Sequence, residues 1–148
     1  MILKEEIRDL FSVSDDYYLV HCISADFAMG KGIVIEFNKR FDMKNILKTK
    51  YPDYITRFRS DNVKGDCISE GRVLNLITKE RYFNKPTLET MRIALFRMKE
   101  ICYEKEITKI AMPTIGAGLD RLDWNDVKEL LKTVFEDTDI EISVCKLK

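Results

Sequence analysis

The sequence predicts an α/β protein: a three-layer α/β/α sandwich around a mixed, largely parallel sheet. Two observations carry this. Apolar, β-branched runs of strand length alternate with segments of helical periodicity, and two of the strands run directly into glycine-rich turns that open helices. The 148 residues suit one domain spanning 1–148, and no internal repeat or Pro/Gly/Ser linker divides them.

The elements follow in chain order. A short, charged amino-terminal strand is expected over Leu3–Ile7, and Tyr17–Ile23 (YYLVHCI) reads as a buried strand. Met29-Gly30-Lys31-Gly32 is a turn, after which Ile33, Val34, Phe37 and Phe41 recur at helical spacing. Arg59 to Asp66 reads as a loop, and Cys67–Glu70 and Val73–Thr78 as two strands joined by Glu70-Gly71-Arg72. The clearest helix runs from about Thr87 to Lys105, with Leu88, Met91, Leu95, Met98 and Cys102 on one face, Thr87 as cap and Glu89 in the first turn. Ile107–Met112 is a short strand ending at Pro113. A helix over about 123–135 should turn Trp124, Val127, Leu131, Val134 and Phe135 inward, and Ile140–Val144 alternates like a half-exposed final strand.

Composition excludes several classes. The chain is 45% hydrophobic and 34% charged, as a folded soluble protein is, with 25 basic and 25 acidic residues and zero net charge. Such a chain has no global field to hold it on nucleic acid or an anionic membrane. No apolar run reaches the roughly 20 residues of a membrane helix, and Met1-Ile2-Leu3-Lys4-Glu5-Glu6 is unlike a signal peptide. Cys22, Cys67, Cys102 and Cys145 are scattered without a C-x-x-C pair, and His21 is the one histidine. A cytoplasmic protein with reduced thiols, without a metal site, a cofactor or a membrane partner, is therefore expected.

Ligands on parallel sheets bind beyond the carboxyl ends of the strands. Two loops there are unusual. Ser24-Ala25-Asp26-Phe27-Ala28-Met29-Gly30-Lys31-Gly32 leads from a strand to a helix, and so does Pro113-Thr114-Ile115-Gly116-Ala117-Gly118-Leu119-Asp120-Arg121. Glycines before a helix let backbone N–H groups approach an anion, so two such loops at one sheet end suggest a bound diphosphate. Asp120 then either places a carboxylate beside that anion or serves structurally, pairing with Arg121 or capping the helix near Asp123. Lys79, directly after a strand, is either a solvated edge charge or a nucleophile able to attack a sugar carbonyl. His21 and Cys22 read as core residues, and a Ser24–His21 nucleophile pair would lack an orienting third group.

His21-Cys22-Ile23-Ser24 with Met29-Gly30-Lys31-Gly32-Ile33, Leu76-Ile77-Thr78-Lys79, Lys85-Pro86-Thr87 and Pro113-x-Ile115-Gly116-x-Gly118-Leu119-Asp120-Arg121-Leu122-x-Trp124 resemble, in order, the terminal ADP-ribose protein glycohydrolases of the macrodomain superfamily. The likeness covers about Asp9 to Leu147. It implies a macrodomain fold with ADP-ribose across the two glycine loops. Lys79 matches the family's nucleophile, which attacks the anomeric carbon of the distal ribose in its open form, and Asp120 matches the acid/base group that frees the product. Asp9 matches the aspartate that reads the adenine amino group, with Leu10 beside it, and Ser24 lies at a position next to the distal ribose. The remaining contacts implied are Gly30, Gly32, Ile33, Thr114, Ile115, Gly116, Ala117, Gly118 and Leu119. Arg8 stands where macrodomains commonly have glycine, and Cys145 near where some offer an aromatic ring to adenine.

The resemblance implies removal of ADP-ribose from glutamate or aspartate side chains, with ADP-ribosylated proteins as partners and ADP-ribosylated DNA as a further class. The competing readings are a DNA-base hydrolase, an enzyme acting on ADP-ribose 1″-phosphate or O-acetyl-ADP-ribose, and a non-catalytic reader of ADP-ribose. A reader needs neither Lys79 nor Asp120.

Overall fold

The computed structural model describes residues 1–147. Six strands, β1 (Ile2–Ile7), β2 (Tyr18–Ser24), β3 (Asp66–Glu70), β4 (Val73–Lys79), β5 (Lys109–Met112) and β6 (Glu141–Lys146), form one sheet in the order β1-β6-β5-β2-β4-β3. All neighbours pair in parallel except β3, which is antiparallel to β4. Five of the strands thus end at the same edge. Five helices flank the sheet: α1 (Val34–Phe41), α2 (Met43–Lys50), α3 (Tyr54–Ser60), α4 (Leu88–Glu104) and α5 (Trp124–Phe135).

Each face of the sheet has its own core. On one, α4 and α5 bury Met91, Leu95, Met98, Val127, Leu131 and Phe135 against Leu74, Leu76, Ile110 and Ile142. On the other, Phe37, Met43, Leu47 and Phe58 from α1–α3 cover Leu19, Ile23 and Ile77. Strand alternation sends successive side chains to opposite faces, so β4, covered on both, is buried from Val73 to Thr78 and apolar there except at Asn75 and Thr78.

The helix boundaries follow their caps. Thr87 accepts from the Thr90 N–H while the Thr90 hydroxyl accepts from the Thr87 N–H, a reciprocal capping box that starts α4. Asp123 accepts from Asn125 N and Asp126 N and starts α5. The chain before β3 runs so close to α4 that a Cβ on Gly65 would lie 2.4 Å from the Thr90 carbonyl oxygen, which explains a glycine at that position.

Four expectations change. The sequence pattern assigns no element between Phe41 and Arg59, yet α2 and α3 lie there, and α3 extends into the segment expected as a loop. Their short apolar sets, Met43 with Leu47 and a single buried Phe58, cover too few turns to show a period. Strand β6 is interior rather than half-exposed: Ile142 to Cys145 are buried because β1 pairs its outer edge and helices cover its faces. Ser143, its apparent polar position, donates instead to Glu6 Oε1 at 3.0 Å. Leu88 is exposed at the first turn of α4, whereas Trp124 packs half-buried against the core as expected, with its indole N–H donating to Glu5 at 2.8 Å.

Candidate active site

The candidate residues line one edge of the sheet because each follows the carboxyl end of a parallel strand. Asp9 and Leu10 follow β1, Ser24 ends β2, Lys79 ends β4, and Thr114–Asp120 follow β5. In sheet order, β1 and β4 lie four strand spacings apart, about 19 Å at the usual separation. The two glycine loops, after β5 and β2, sit between them. The arrangement suits an elongated ligand lying across the strand ends, with Asp9 at one extremity and Lys79 at the other.

At the β4 end, Lys79 Nζ donates to Asp120 Oδ1 at 2.7 Å. Both side chains are mostly covered, 14% and 15% exposed, so neither of the structural alternatives holds: Lys79 is not a solvated edge charge, and Asp120 neither pairs with Arg121 nor caps α5, a task that Asp123 performs. The register across the sheet explains how the lysine is placed. Ser24 is the β2 partner of Lys79, and Ala25 N donates to Lys79 O at 2.9 Å.

The two glycine loops touch. A Cβ on Gly32 would meet Leu119 Cδ1 at 3.4 Å, and Lys85 Nζ donates to Leu119 O at 2.7 Å, tying the post-β5 loop to the segment after Lys79. Gly116 takes φ +76°, a left-handed conformation. There, its carbonyl accepts from Leu122 N at 2.7 Å and closes the loop, while an added Cβ would sit 2.9 Å from Met91 Cε and 3.0 Å from Leu122 Cδ1. Gly118 and Gly30, by contrast, border open space. Ile115 is buried and anchors the loop, whereas Thr114 and Ala117 are half-buried and Leu119 is exposed. In the other loop, Ile33 precedes α1 without a side-chain cap, and the Ile35 and Glu36 amides donate instead to the Gly32 and Ile33 carbonyls at 3.1 and 3.0 Å.

Asp9 is exposed, accepts from Phe11 N at 3.0 Å and opens a single 3-10 turn, Leu10–Ser12, whose Leu10 is buried. Cys145, at the end of β6, is buried and offers no ring to this edge. Ser24 does not meet His21. Its hydroxyl donates to Asp26, and His21 Nε2 pairs with Asn75 Oδ1 at 2.6 Å while the ring stacks on Phe37 at 3.8 Å. Burial pulls the His21 pKa down to about 4, which keeps the imidazole neutral at ordinary pH. Cys22 is only half-buried. Burial pushes its thiol pKa up, the Asp120 carboxylate adds to the rise, and Lys79 and the Gly116 N–H oppose it.

Asp26 is the residue that sequence reasoning passed over. Its Oδ1 accepts from Ser24 Oγ and from Ala28 N (3.1 Å), and its Oδ2 accepts from Tyr82 N at 3.0 Å. One carboxylate thereby joins the end of β2, the loop toward α1 and the segment after Lys79. The Ser-x-Asp spacing, with the amide two residues on, is an Asx-turn signal that could have marked it. A cavity of about 460 Å³ beside α3, β3 and α4, lined by residues such as Tyr51, Tyr54 and Ile101, shares no lining residue with these loops.

This geometry has counterparts among known proteins. No family model matches the chain. The macrodomain of Mycobacterium tuberculosis DarG is similar with a TM-score of 0.76 at 23% identity, covering 99% of this chain and 98% of that one. Thermosipho africanus DarTG, solved in complex with ADP-ribose, is similar with a TM-score of 0.69 at 17% identity, covering 98% of this chain and 41% of that one. The fold is that of a macrodomain. At the level of sequence, the ADP-ribose glycohydrolase OARD1 of Bos taurus is 39% identical over 140 residues, which span 94% of this chain and 88% of that protein. The chain belongs to the terminal ADP-ribose protein glycohydrolase family of macrodomains.

Proposed function

We propose that this protein binds ADP-ribose along the strand ends and hydrolyses its bond to modified glutamate or aspartate side chains through a covalent adduct on Lys79. The observation that carries the proposal is the Lys79–Asp120 pair at 2.7 Å, which joins the end of β4 to the glycine loop after β5, 41 residues on. The family's name and the ADP-ribose held by the Thermosipho africanus relative support the same ligand. In this reading the adenine lies at Asp9 and Leu10. The diphosphate lies against the amides around Gly30, Gly32 and Ile33 and of Thr114 to Leu119, and the distal ribose reaches Ser24 and Lys79.

The chemistry follows from the pair. A lysine attacks only as the free amine, and Asp120 Oδ1 is the base within reach of its proton. Nζ then bonds to the anomeric carbon, the bond from that carbon to the acceptor oxygen breaks, and the electron pair leaves with the acceptor carboxylate. The ring C–O bond of this glycosylamine then breaks, its pair going to the ring oxygen, which takes the proton released from Nζ. The nitrogen lone pair completes the C=N of a ring-opened Schiff base. Water adds to the same carbon, the C–Nζ bond breaks with its pair returning to nitrogen, and Asp120 carries the proton back. The net reaction consumes one water and yields ADP-ribose and the free acid.

A substrate panel of glutamate-linked, serine-linked, DNA-linked and O-acetyl ADP-ribose tests this reading. Turnover of the glutamate-linked substrate in preference to the others is expected. Preference for the DNA-linked substrate would overturn the acceptor class, and binding of ADP-ribose without turnover of any of them would make the protein a reader.

A further inference from the structure

The segment between Lys79 and α4 carries two neighbouring exposed aromatic side chains. Tyr82 is 63% and Phe83 64% exposed, with ring centroids 5.3 Å apart and planes at 88°. Single apolar side chains on a surface need no explanation, but an exposed pair beside a proposed active site does. The loop that carries them is held at several points. Tyr82 N donates to Asp26, Arg81 N donates to Asn84 Oδ1 at 2.9 Å while Asn84 N donates to Arg81 O at 3.0 Å, and Lys85 reaches Leu119 O. The same Asp26 binds Ser24, and Leu119 precedes Asp120, so the ring pair is fixed to both sides of the Lys79 pocket.

We infer that Tyr82 and Phe83 form an acceptor-side subsite that takes an apolar side chain of the peptide bearing the ADP-ribosylated acidic residue. This rests on the proposed function. If ADP-ribose runs from Asp9 to Lys79, whatever is bonded to its anomeric carbon must leave the pocket past Lys79. Tyr82 is three residues on, so its Cα lies within about 11 Å of the Lys79 Cα by chain length alone. An extended peptide advances about 3.3 Å per residue, which puts neighbours one to three positions from the modified residue within reach of the rings.

Charge decides between a peptide and a nucleic acid. The three segments around the mouth, residues 24–33, 79–86 and 113–123, hold five cationic and four anionic side chains. Glu80 is paired with Arg59 and Asp120 with Lys79. A polyphosphate strand gains little from so balanced a rim, whereas an exposed aromatic pair stabilises an apolar side chain that covers it.

The test compares the Tyr82→Ser/Phe83→Ser double variant with the parent, both carrying Lys79→Ala so that nothing turns over. Calorimetry measures binding of ADP-ribose and of peptides ADP-ribosylated on glutamate, with either leucine or serine two residues away. In the parent, the leucine peptide should bind about tenfold tighter than the serine peptide, and the double variant should erase that difference while leaving free ADP-ribose within twofold. Equal affinity for the two peptides in the parent would overturn the subsite even if ADP-ribose binds well. Failure of ADP-ribose itself to bind would overturn the proposed function first, and this subsite with it. A short ADP-ribosylated oligonucleotide that loses affinity in the double variant, while the peptides do not, would assign the rings to a base. Thermal unfolding of the double variant should match the parent, since both rings are exposed.

Discussion

Gly116→Ala separates the glycine that shapes the pocket from the one that only borders it. At Gly116 the backbone has φ +76°, which costs an alanine about 1–2 kcal/mol. The new methyl group would stand 2.9 Å from Met91 Cε and 3.0 Å from Leu122 Cδ1. Both atoms end flexible side chains, but Met91 is fully buried, so crowding adds on the order of 1–2 kcal/mol. The sum, about 2–4 kcal/mol, should lower the melting temperature by about 6–12 °C in a chain of this size. Gly118 borders open space, and Gly118→Ala should stay within about 0.5 kcal/mol of the parent. Thermal and urea unfolding of the two variants measure the contrast. A Gly116→Ala protein as stable as the parent, or a Gly118→Ala protein equally destabilised, would refute the assignment of the left-handed turn to Gly116. Because Gly118 tolerates a side chain, Gly118→Glu should keep the fold and lose ADP-ribose binding.

Three further outcomes follow from the geometry. Asp26→Ala strands three donors, so it should cost about 1–3 kcal/mol of stability and lower kcat/KM at least tenfold; Asp26→Asn, which keeps one acceptor oxygen, should recover part of both, and full activity in Asp26→Ala would show that Ser24 needs no such support. Asp9→Ala should weaken ADP-ribose about tenfold and leave an analogue with hypoxanthine in place of adenine nearly unchanged, while equal losses for both would make Asp9 merely the cap of its 3-10 turn. His21 has its folded pKa lowered from 6.5 to about 4, so the unfolded chain binds the extra proton first and stability falls as the pH drops through that window, by about 3 kcal/mol in total; His21→Gln should flatten that part of the stability–pH curve, and an imidazole resonance titrating near 6.5 in the folded protein would contradict the burial argument.

The parts of this molecule that were legible in the sequence are those where one physical requirement dominates. Strands β2 and β4 are mostly apolar because both faces are covered, and the α4 cap shows as Thr87 because the first amides need an acceptor. The glycine loops show because Gly32 and Gly116 take a left-handed backbone conformation that side chains disfavour. Helices α2 and α3 did not show, since each buries only one or two residues and relies on the sheet face already built by β2 and β4. The polar Ser143 concealed an interior strand because its partner, Glu6, comes from the other end of the chain. In the site, Lys79 and Asp120 could be named from the sequence as candidates, but only the fold chose between pairing with each other and the structural roles each had open. Asp26 was hidden for a related reason. Its importance lies in three donors, one of which is the Tyr82 amide 56 residues away.

The central claim is that Lys79 bonds to the ribose. Peptide mass mapping after borohydride reduction tests it, with the wild-type protein and Asp120→Ala each incubated with glutamate-linked ADP-ribose. The account predicts a reduced ADP-ribosyl adduct confined to the peptide containing Lys79, present in the wild type during turnover and absent from Lys79→Ala, which should bind ADP-ribose without hydrolysing its conjugates. A Lys79→Ala protein with near wild-type activity, or turnover by the wild type with no adduct on that peptide, would contradict it and leave direct attack by water in the same pocket as the mechanism.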